Sequence, residues 1–393
     1  MSRAHHARLR ALLLIAPLVA FLGLFFVWPI VSVLSAAVHN ESARDAFPET
    51  GRAMAGWDGV GLPDAAVQQA LVTDLRSVDR RSLGGAVRKL NSTEPGFRTL
   101  MSTTTRALSD GGVANLPALT EIDPRWGEPR FWRAIKTNAA RYSSRNLLAA
   151  LDLHFTAEGQ IRSLPAQTSA NRAILVRTFT MSGIITLCCL AIGLPYALIA
   201  ASFGGWRRNA MLLAVLLPLW TSLLVRTAAW YILLQDNGLV NQLLATLGLI
   251  DAPLPLIFNR LGVALAMTHV LLPFMVLPIY SVASTIPKSL MPAAASLGAP
   301  PFKAFLRVFL PLVLPGVLSG SLLVFMVATG YYITPALVGG PNDQMISGTI
   351  AFYALETANW GMAGALGLML LAITLVLYAV YSRIARTNSP LGF

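Results

Sequence analysis

Ionisable and aromatic side chains inside apolar stretches are the first places where this chain could do chemistry. Charge removed from water is costly, and it is kept where it meets something. Arg226 interrupts an apolar run from Asn209 to about Gln235, which Asp236 closes. His269 follows Thr268 within Leu261 to Pro287, and Glu356 stands just ahead of Thr357 to Ser382. Trp230, Tyr231, Tyr331 and Tyr332 add aromatic faces able to receive a cation. These eight residues are the candidates to line a polar path. Each has a plainer reading as a headgroup-level charge, a packed histidine or an interfacial aromatic belt.

A second cluster lies between Lys288 and Pro311. Pro292 suits the first turn of a short helix, Gly298 allows the chain to turn out of it, and Pro300-Pro301 start another. Phe302, Phe305, Leu306 and Phe309 fall on one stripe, with Lys303 and Arg307 on another face. Such an aromatic knob suits either a protein partner or an interfacial helix against lipid headgroups.

Elsewhere the sequence offers little catalysis. His154, Ser163 and Asp152 carry hydrolase residue types, but no nucleophile-elbow pattern surrounds any serine. His39 and His154 lack metal-ligand spacing. Cys188 and Cys189 are adjacent, which excludes a disulfide framework and paired-cysteine zinc sites. No Gly-Lys pair occurs among the four lysines, so there is no phosphate-binding loop. No catalytic, cofactor-binding or metal-binding residue is therefore assigned.

The elements that position the candidates follow from composition. Of 393 residues 55% are hydrophobic and 12% charged, which points to a membrane protein. Six stretches approach the roughly 20 apolar residues that cross a bilayer: Ala11–Val38, Thr178–Trp206, Asn209 to about Gln235, Leu261–Pro287, Val308 to about Gly340, and Thr357–Ser382. Pro335, Gly339 and Gly340 suggest where the fifth helix stops. The net charge of +12 does not indicate nucleic acid, because 14 of the 18 acids lie between His39 and Asn171 beside 16 bases. Arg3, Arg8, Arg10, Arg207, Arg208, Lys288, Lys303, Arg307, Arg383 and Arg386 then fall on one side of six spans, and Asp236, Asp251 and Asp343 on the other. The positive-inside rule makes that basic side cytoplasmic, with both termini.

The expected fold is an all-α integral membrane protein with six transmembrane helices and a mainly helical external insert between helices 1 and 2. Residues 1–10 form a cytoplasmic N-terminus, 11–38 the first helix, 39–171 the periplasmic insert, and 172–393 a five-helix core with loop 288–311. The first span reads as a retained anchor and not as a cleaved leader. In the insert, helices are predicted over Ala65–Leu90, from Thr93-Glu94-Pro95 onward, over Pro129–Ala140 and over Ser143–Leu151, then a hairpin turning at Glu158-Gly159. Gly316 and Gly320, and Gly361, Gly364 and Gly367, read as close helix packing.

The 288–311 loop resembles the signature of permease subunits in binding-protein-dependent ABC importers: Glu-Ala-Ala, three residues, Gly, about nine residues, and an apolar-x-Leu-Pro ending. Ala293, Ala294, Gly298, Leu310 and Pro311 stand in register with it, while Pro292 replaces the usual Glu. Ser222–Trp230, Asn237–Gln242, Leu271–Pro278, Tyr332–Pro341 and Asn359-Trp360 are similar to the spermidine/putrescine branch. The likeness runs from about Arg177 to Phe393 and leaves out the insert.

The resemblance implies a non-enzymatic transport subunit of a bacterial inner membrane. Its solute is polyamine-like or opine-like and is delivered by a periplasmic binding protein. The implied partners are an ATPase dimer carrying ATP and Mg, a second, related permease chain, and membrane lipid. Pro292, Ala293, Ala294, Gly298, Ala299, Phe302, Phe305, Leu310 and Pro311 are the implied ATPase contact. Carboxylates within the spans are few, so selectivity is expected to rest on the binding protein. The rival readings are a membrane-anchored receptor or enzyme working through the insert, and an ion-driven transporter. The latter usually shows inverted repeats, and none is seen here.

Overall fold

The computed structural model describes residues 14–39, 41–110, 118–139, 142–155, 160–165 and 169–387. The expected turn at Glu158-Gly159 and the basic residues Arg3, Arg8 and Arg10 lie outside them. The chain divides into two compact units, residues 1–149 with 360–365, and residues 150–359 with 366–393.

The first unit opens with a helix, Leu14–Ser35, of mean hydropathy 2.5 and no buried residue in its apolar window. A soluble protein would cover such a surface; here lipid can. The helical insert follows. Its core is aromatic: Phe47, Phe97, Trp126, Phe131 and Trp132 are all buried. Trp132 donates its indole N–H to the Trp126 carbonyl at 2.8 Å, and Trp126 donates to the Thr104 hydroxyl at 2.9 Å, so each buried donor is matched.

The predicted single helix over Ala65–Leu90 is two helices, Ala65–Ser77 and Arg80–Thr93. Val78 is extended, and the Asp79 carboxylate caps the second helix by accepting from the Arg81 and Ser82 amides at 2.8 and 3.0 Å. The next helix starts at Phe97 and not at Thr93, because Gly96 turns the chain at φ +103°. Pro129–Ala139 and Arg145–Ala150 form close to where periodicity placed them. Two short helices, Glu41–Ala46 and Pro48–Ala53, were not foreseen. The buried Asp74 carboxylate organises the second by accepting from the Glu49 and Thr50 amides at 3.1 and 2.7 Å.

The second unit begins with an antiparallel pair of strands, Leu153–Phe155 and Ile161–Ser163. Asp152 is buried at φ +56°, and its carboxylate accepts from the Asn171 and Arg172 amides at 3.1 and 2.8 Å. It thus caps the helix Asn171–Ser202 from a distance in sequence and has no hydrolytic geometry. That helix packs with Arg260–Thr285 and Pro301–Gly330 around the buried Met275. A Cβ added at Gly320 would stand 3.0 Å from the Met275 carbonyl, and one at Gly316 would stand 2.9 Å from the Pro278 carbonyl. Glycine at both positions lets the two backbones meet.

The third expected span is not one straight helix. Gly205–Trp220 and Leu223–Leu233 meet at a 98° bend. Pro218 tightens the last turn before the bend into a 3₁₀ turn, and Thr221 and Ser222 are extended. The fifth stops at Gly330, ahead of Pro335. Tyr331 is extended, and Pro335 lies in the first turn of a new short helix, Ile333–Val338, where a missing N–H costs little. With Trp360–Arg383, five helices among the described residues are long and apolar enough to cross a membrane, six if the bent pair is counted as one span.

Candidate functional site

The 288–311 loop is built on one left-handed residue. Leu290–Ser296 is helical, and Gly298 then adopts φ +80°. Its amide donates to the Ala295 carbonyl at 2.9 Å and the Ala299 amide to the Ala294 carbonyl at 3.1 Å, the paired bonds of a Schellman ending. Open space surrounds Gly298, so backbone conformation and not crowding calls for glycine. Pro300 and Pro301 start the following helix, as expected. It does not end at Pro311, however. It runs through a wide π turn, Phe305–Phe309, into the span ending at Gly330. Pro311 has no N–H to give, and the register shift of the π turn accommodates it.

The expected Phe stripe is divided by packing. Phe309 joins the core of the second unit, Phe305 stacks on it with ring centroids 6.0 Å apart, and Phe302 stays 73% exposed. Leu297, at the turn, is 89% exposed. Pro292 and Ala293 are also exposed, Ala294, Ala299 and Leu310 are half-buried, and Pro311 faces outward. Leu297 was missed because periodicity does not mark a single apolar residue at a turn.

Four of the eight path candidates converge. Trp230 donates its indole N–H to His269 Nδ1 at 3.1 Å, with the rings edge to face at 5.5 Å. His269 lies nine residues past Arg260, roughly 14 Å along the helix. The Arg226 guanidinium bears electrostatically on both His269 and Tyr331. It donates from Nη2 to the Thr221 carbonyl at the bend, at 3.0 Å, while its buried Nε has no partner. Tyr331 reaches the Thr334 hydroxyl, and Thr334 and Thr227 are buried with their hydroxyls 3.2 Å apart. Thr268 Oγ1 is likewise buried and unpartnered.

The unpaired Arg226 Nε, with the nearby indole and phenol, makes a small polar site in an apolar surround. The threonines were missed because a hydroxyl in an apolar run gives no periodic signal. The other candidates lie elsewhere. Tyr231 turns its ring edge to Phe258 at 5.9 Å, and Asp236, Tyr332 and Glu356 are exposed. Arg177 donates to the Gln344 carbonyl at 3.0 Å and to the Asn342 carbonyl, and Arg260 pairs with Asp343 at 3.0 Å. Among the described residues, no three His, Cys, Asp or Glu side chains are grouped to hold a metal.

Residues 193–389 match the family described as binding-protein-dependent transport system inner membrane component. Over 210 residues the chain is 34% identical to the spermidine/putrescine transport system permease protein PotB of Haemophilus influenzae, covering 53% of this chain and 73% of that protein. PotB of Escherichia coli is 33% identical over 213 residues, 54% of this chain and 78% of its own. The probable sulfate transport system permease protein cysT of Nephroselmis olivacea is 35% identical over 156 residues, 39% of this chain and 53% of its own. The match leaves out the insert and takes in the loop, the bend and the polar site. The chain therefore belongs to the inner membrane components of binding-protein-dependent transport systems, as a multi-pass, mainly helical permease subunit of an ABC importer.

Proposed function

We propose that this permease conducts a polyamine-like or opine-like small solute inward. The solute is handed over by a periplasmic binding protein, and ATP hydrolysis on a separate ATPase dimer drives its passage. The observation that carries the solute class is the 33–34% identity to two PotB proteins over about three quarters of their length. The likeness to the sulfate permease covers only about half of that protein. Trp230 and Tyr331 offer π faces to a cation. Arg226 keeps the site from being acidic, which leaves selectivity to the binding protein.

In this reading the Leu290–Pro311 segment docks on the ATPase through Leu297 and Phe302, and ATP and Mg reside on that partner. A second, related permease chain completes the path. Both termini are cytoplasmic and the insert periplasmic, as the one-sided arginines and lysines support. Reconstitution with its ATPase, a second permease and a periplasmic binding protein should give ATP-dependent uptake of labelled spermidine or putrescine. Uptake by this chain alone, driven by an ion gradient, would overturn the reading, as would an assembled system that moves neither solute.

A further inference from the structure

The short helix Leu239–Thr246 is inside out. A helix at the surface of a soluble protein turns its leucines inward and its amide side chains to water. Here Leu239, Leu243 and Leu247 follow one another at four-residue spacing along the helix and its C-terminal cap, and they are 64%, 57% and 63% exposed. Asn241 is buried instead. Its Nδ2 donates to the Gln235 and Leu254 carbonyls at 3.2 and 3.0 Å, and its Oδ1 accepts from the Leu254 amide at 3.0 Å. These bonds pin the polar side to the protein and leave the leucines turned out. From Asn237 to Ile250 the chain carries no charge, and Asp236 and Asp251 bracket it.

What covers the leucines follows from depth. Gly205–Trp220 carries Arg207 and Arg208 in its first turn and rises roughly 24 Å, about four-fifths of a hydrocarbon core. The 98° bend then turns Leu223–Leu233 aside from that direction, so it adds little height. The chain next reverses tightly. The Gly238 amide donates to the Gln235 carbonyl at 2.8 Å, and a Cβ at Gly238 would collide with the Leu233 carbonyl. Val240 packs against the small core of Leu234, Leu256 and Val338. Leu239–Thr246 is thereby held at the level of Leu223–Leu233, whose Leu224, Val225 and Ile232 are exposed as well. On the membrane reading and orientation proposed above, on which this inference rests, that level is the outer boundary between acyl chains and headgroups.

We propose that Leu239–Thr246 is an interfacial helix of the outer leaflet, with Leu239, Leu243 and Leu247 among lipid acyl chains and Asp236 and Asp251 at the headgroups. It meets lipid through hydrocarbon and not through headgroup charge, since no basic residue lies between Arg226 and Arg260.

The test places a nitroxide on the full chain in phosphatidylcholine vesicles, at Leu239→Cys, Leu243→Cys or Leu247→Cys, with Cys188→Ala and Cys189→Ala. The ratio of collisions with oxygen, which concentrates in hydrocarbon, to collisions with a water-soluble nickel chelate should exceed the ratio at Asp251→Cys by about tenfold. A label at Leu187→Cys, exposed midway along Asn171–Ser202, reads membrane insertion by itself and so separates failure of the membrane reading from failure of this inference. Nickel access at Leu243 and Leu247, with Leu187 still in hydrocarbon, would put the helix in water and overturn the proposal. Protection of all three leucine positions from both reagents would put protein over this face, such as a second copy of the chain, and would overturn it equally. If the cysteine-free chain does not fold, a membrane-impermeant maleimide can read the same positions in the natural background. Labelling at Leu243→Cys then overturns the proposal, and protection there beside ready labelling of Asp251→Cys supports it.

Discussion

The Trp230 indole donates to Nδ1 of His269 across 3.1 Å, joining the bent helix pair to the central Arg260–Thr285 helix. An indole N–H is only a donor, so Nδ1 must carry a lone pair. The imidazole therefore holds its proton on Nε2 and is neutral while the bond stands. With Arg226 close by, a neutral ring also avoids a second positive charge in the site.

Trp230→Phe should keep the ring packing and delete only the donor. A net hydrogen bond is worth about 1 kcal/mol, so transport should fall by about fivefold with the protein still folded. Trp230→Ala should lose more, through the aromatic face as well. Uptake rates normalised to membrane-inserted protein measure this, and a Phe variant that transports like the parent would show the bond to be idle.

Gly298 supplies a second prediction. Its φ of +80° carries a cost of about 1–2 kcal/mol for an ordinary L-residue, more for a β-branched one. Gly298→Val should unseat the turn that presents Leu297 and Phe302, and so uncouple ATP hydrolysis from uptake. Gly298→Asn, which tolerates the left-handed region, should recover most of the coupling. If Val and Asn behave alike, the conformation of this turn does not control coupling.

What the sequence disclosed, and what it hid, divides along physical lines. Long apolar runs announce spans because the bilayer demands continuous hydrophobicity, and Gly298 with Pro300-Pro301 announces a turn because few other residues fit one. The 98° bend was hidden because Thr221 and Ser222 are compatible with helix, and only packing makes them extended. Asp152 carries a residue type common in hydrolases, but it caps a helix that starts 19 residues later, a relationship no local window contains. Four of the eight path residues met in space because aromatic and ionisable types are costly in lipid unless they serve a site. Of the other four, Tyr231 packs against Phe258, and Asp236, Tyr332 and Glu356 are exposed near helix ends, where the same types are cheap.

The insert should respond to acid in a definable direction. The hydrogen bond from Arg125, and then the Arg125 amide and charge, hold the Asp123 carboxyl below its ordinary value of 3.8 against the opposing effect of burial. Hydrogen bonds from Ser82, then Arg81, do the same for Asp79. A depressed carboxyl contributes stability that is present above the ordinary value and lost as pH falls through the folded one. Protease resistance of the insert should thus be flat from pH 7 to about 5 and decline below about 4. Asp123→Asn should be less stable at neutral pH and show a shallower acid decline. An identical acid profile in that variant would remove Asp123 from the account.

The last prediction concerns what the insert is for. We expect it to receive the periplasmic binding protein, since in the orientation proposed above it joins the first two spans on the side where the loaded protein would arrive. Its 16 basic and 14 acidic residues between His39 and Asn171 suit a transient polar interface. For Trp126, Phe131 and Trp132 the sequence suggests anchors for that contact but makes packing in the insert's own core the expected fate of at least two, and all three are buried there. Better placed are Val60 and Leu62, 78% and 46% exposed in a loop where Gly59 and Gly61 both take positive φ. Val60→Asp with Leu62→Asp should leave the core intact and lower binding-protein affinity by about tenfold, as loss of an apolar anchor does. The whole-insert test needs a cut that spares Asp152, because its carboxylate caps Asn171–Ser202. Replacing residues 45–138 with a flexible linker should leave the three-helix packing around Met275 folded, since none of those residues belongs to it. Binding-protein affinity and uptake should fall together. A shortened permease that binds and transports as well as the parent would leave the insert no part in delivery.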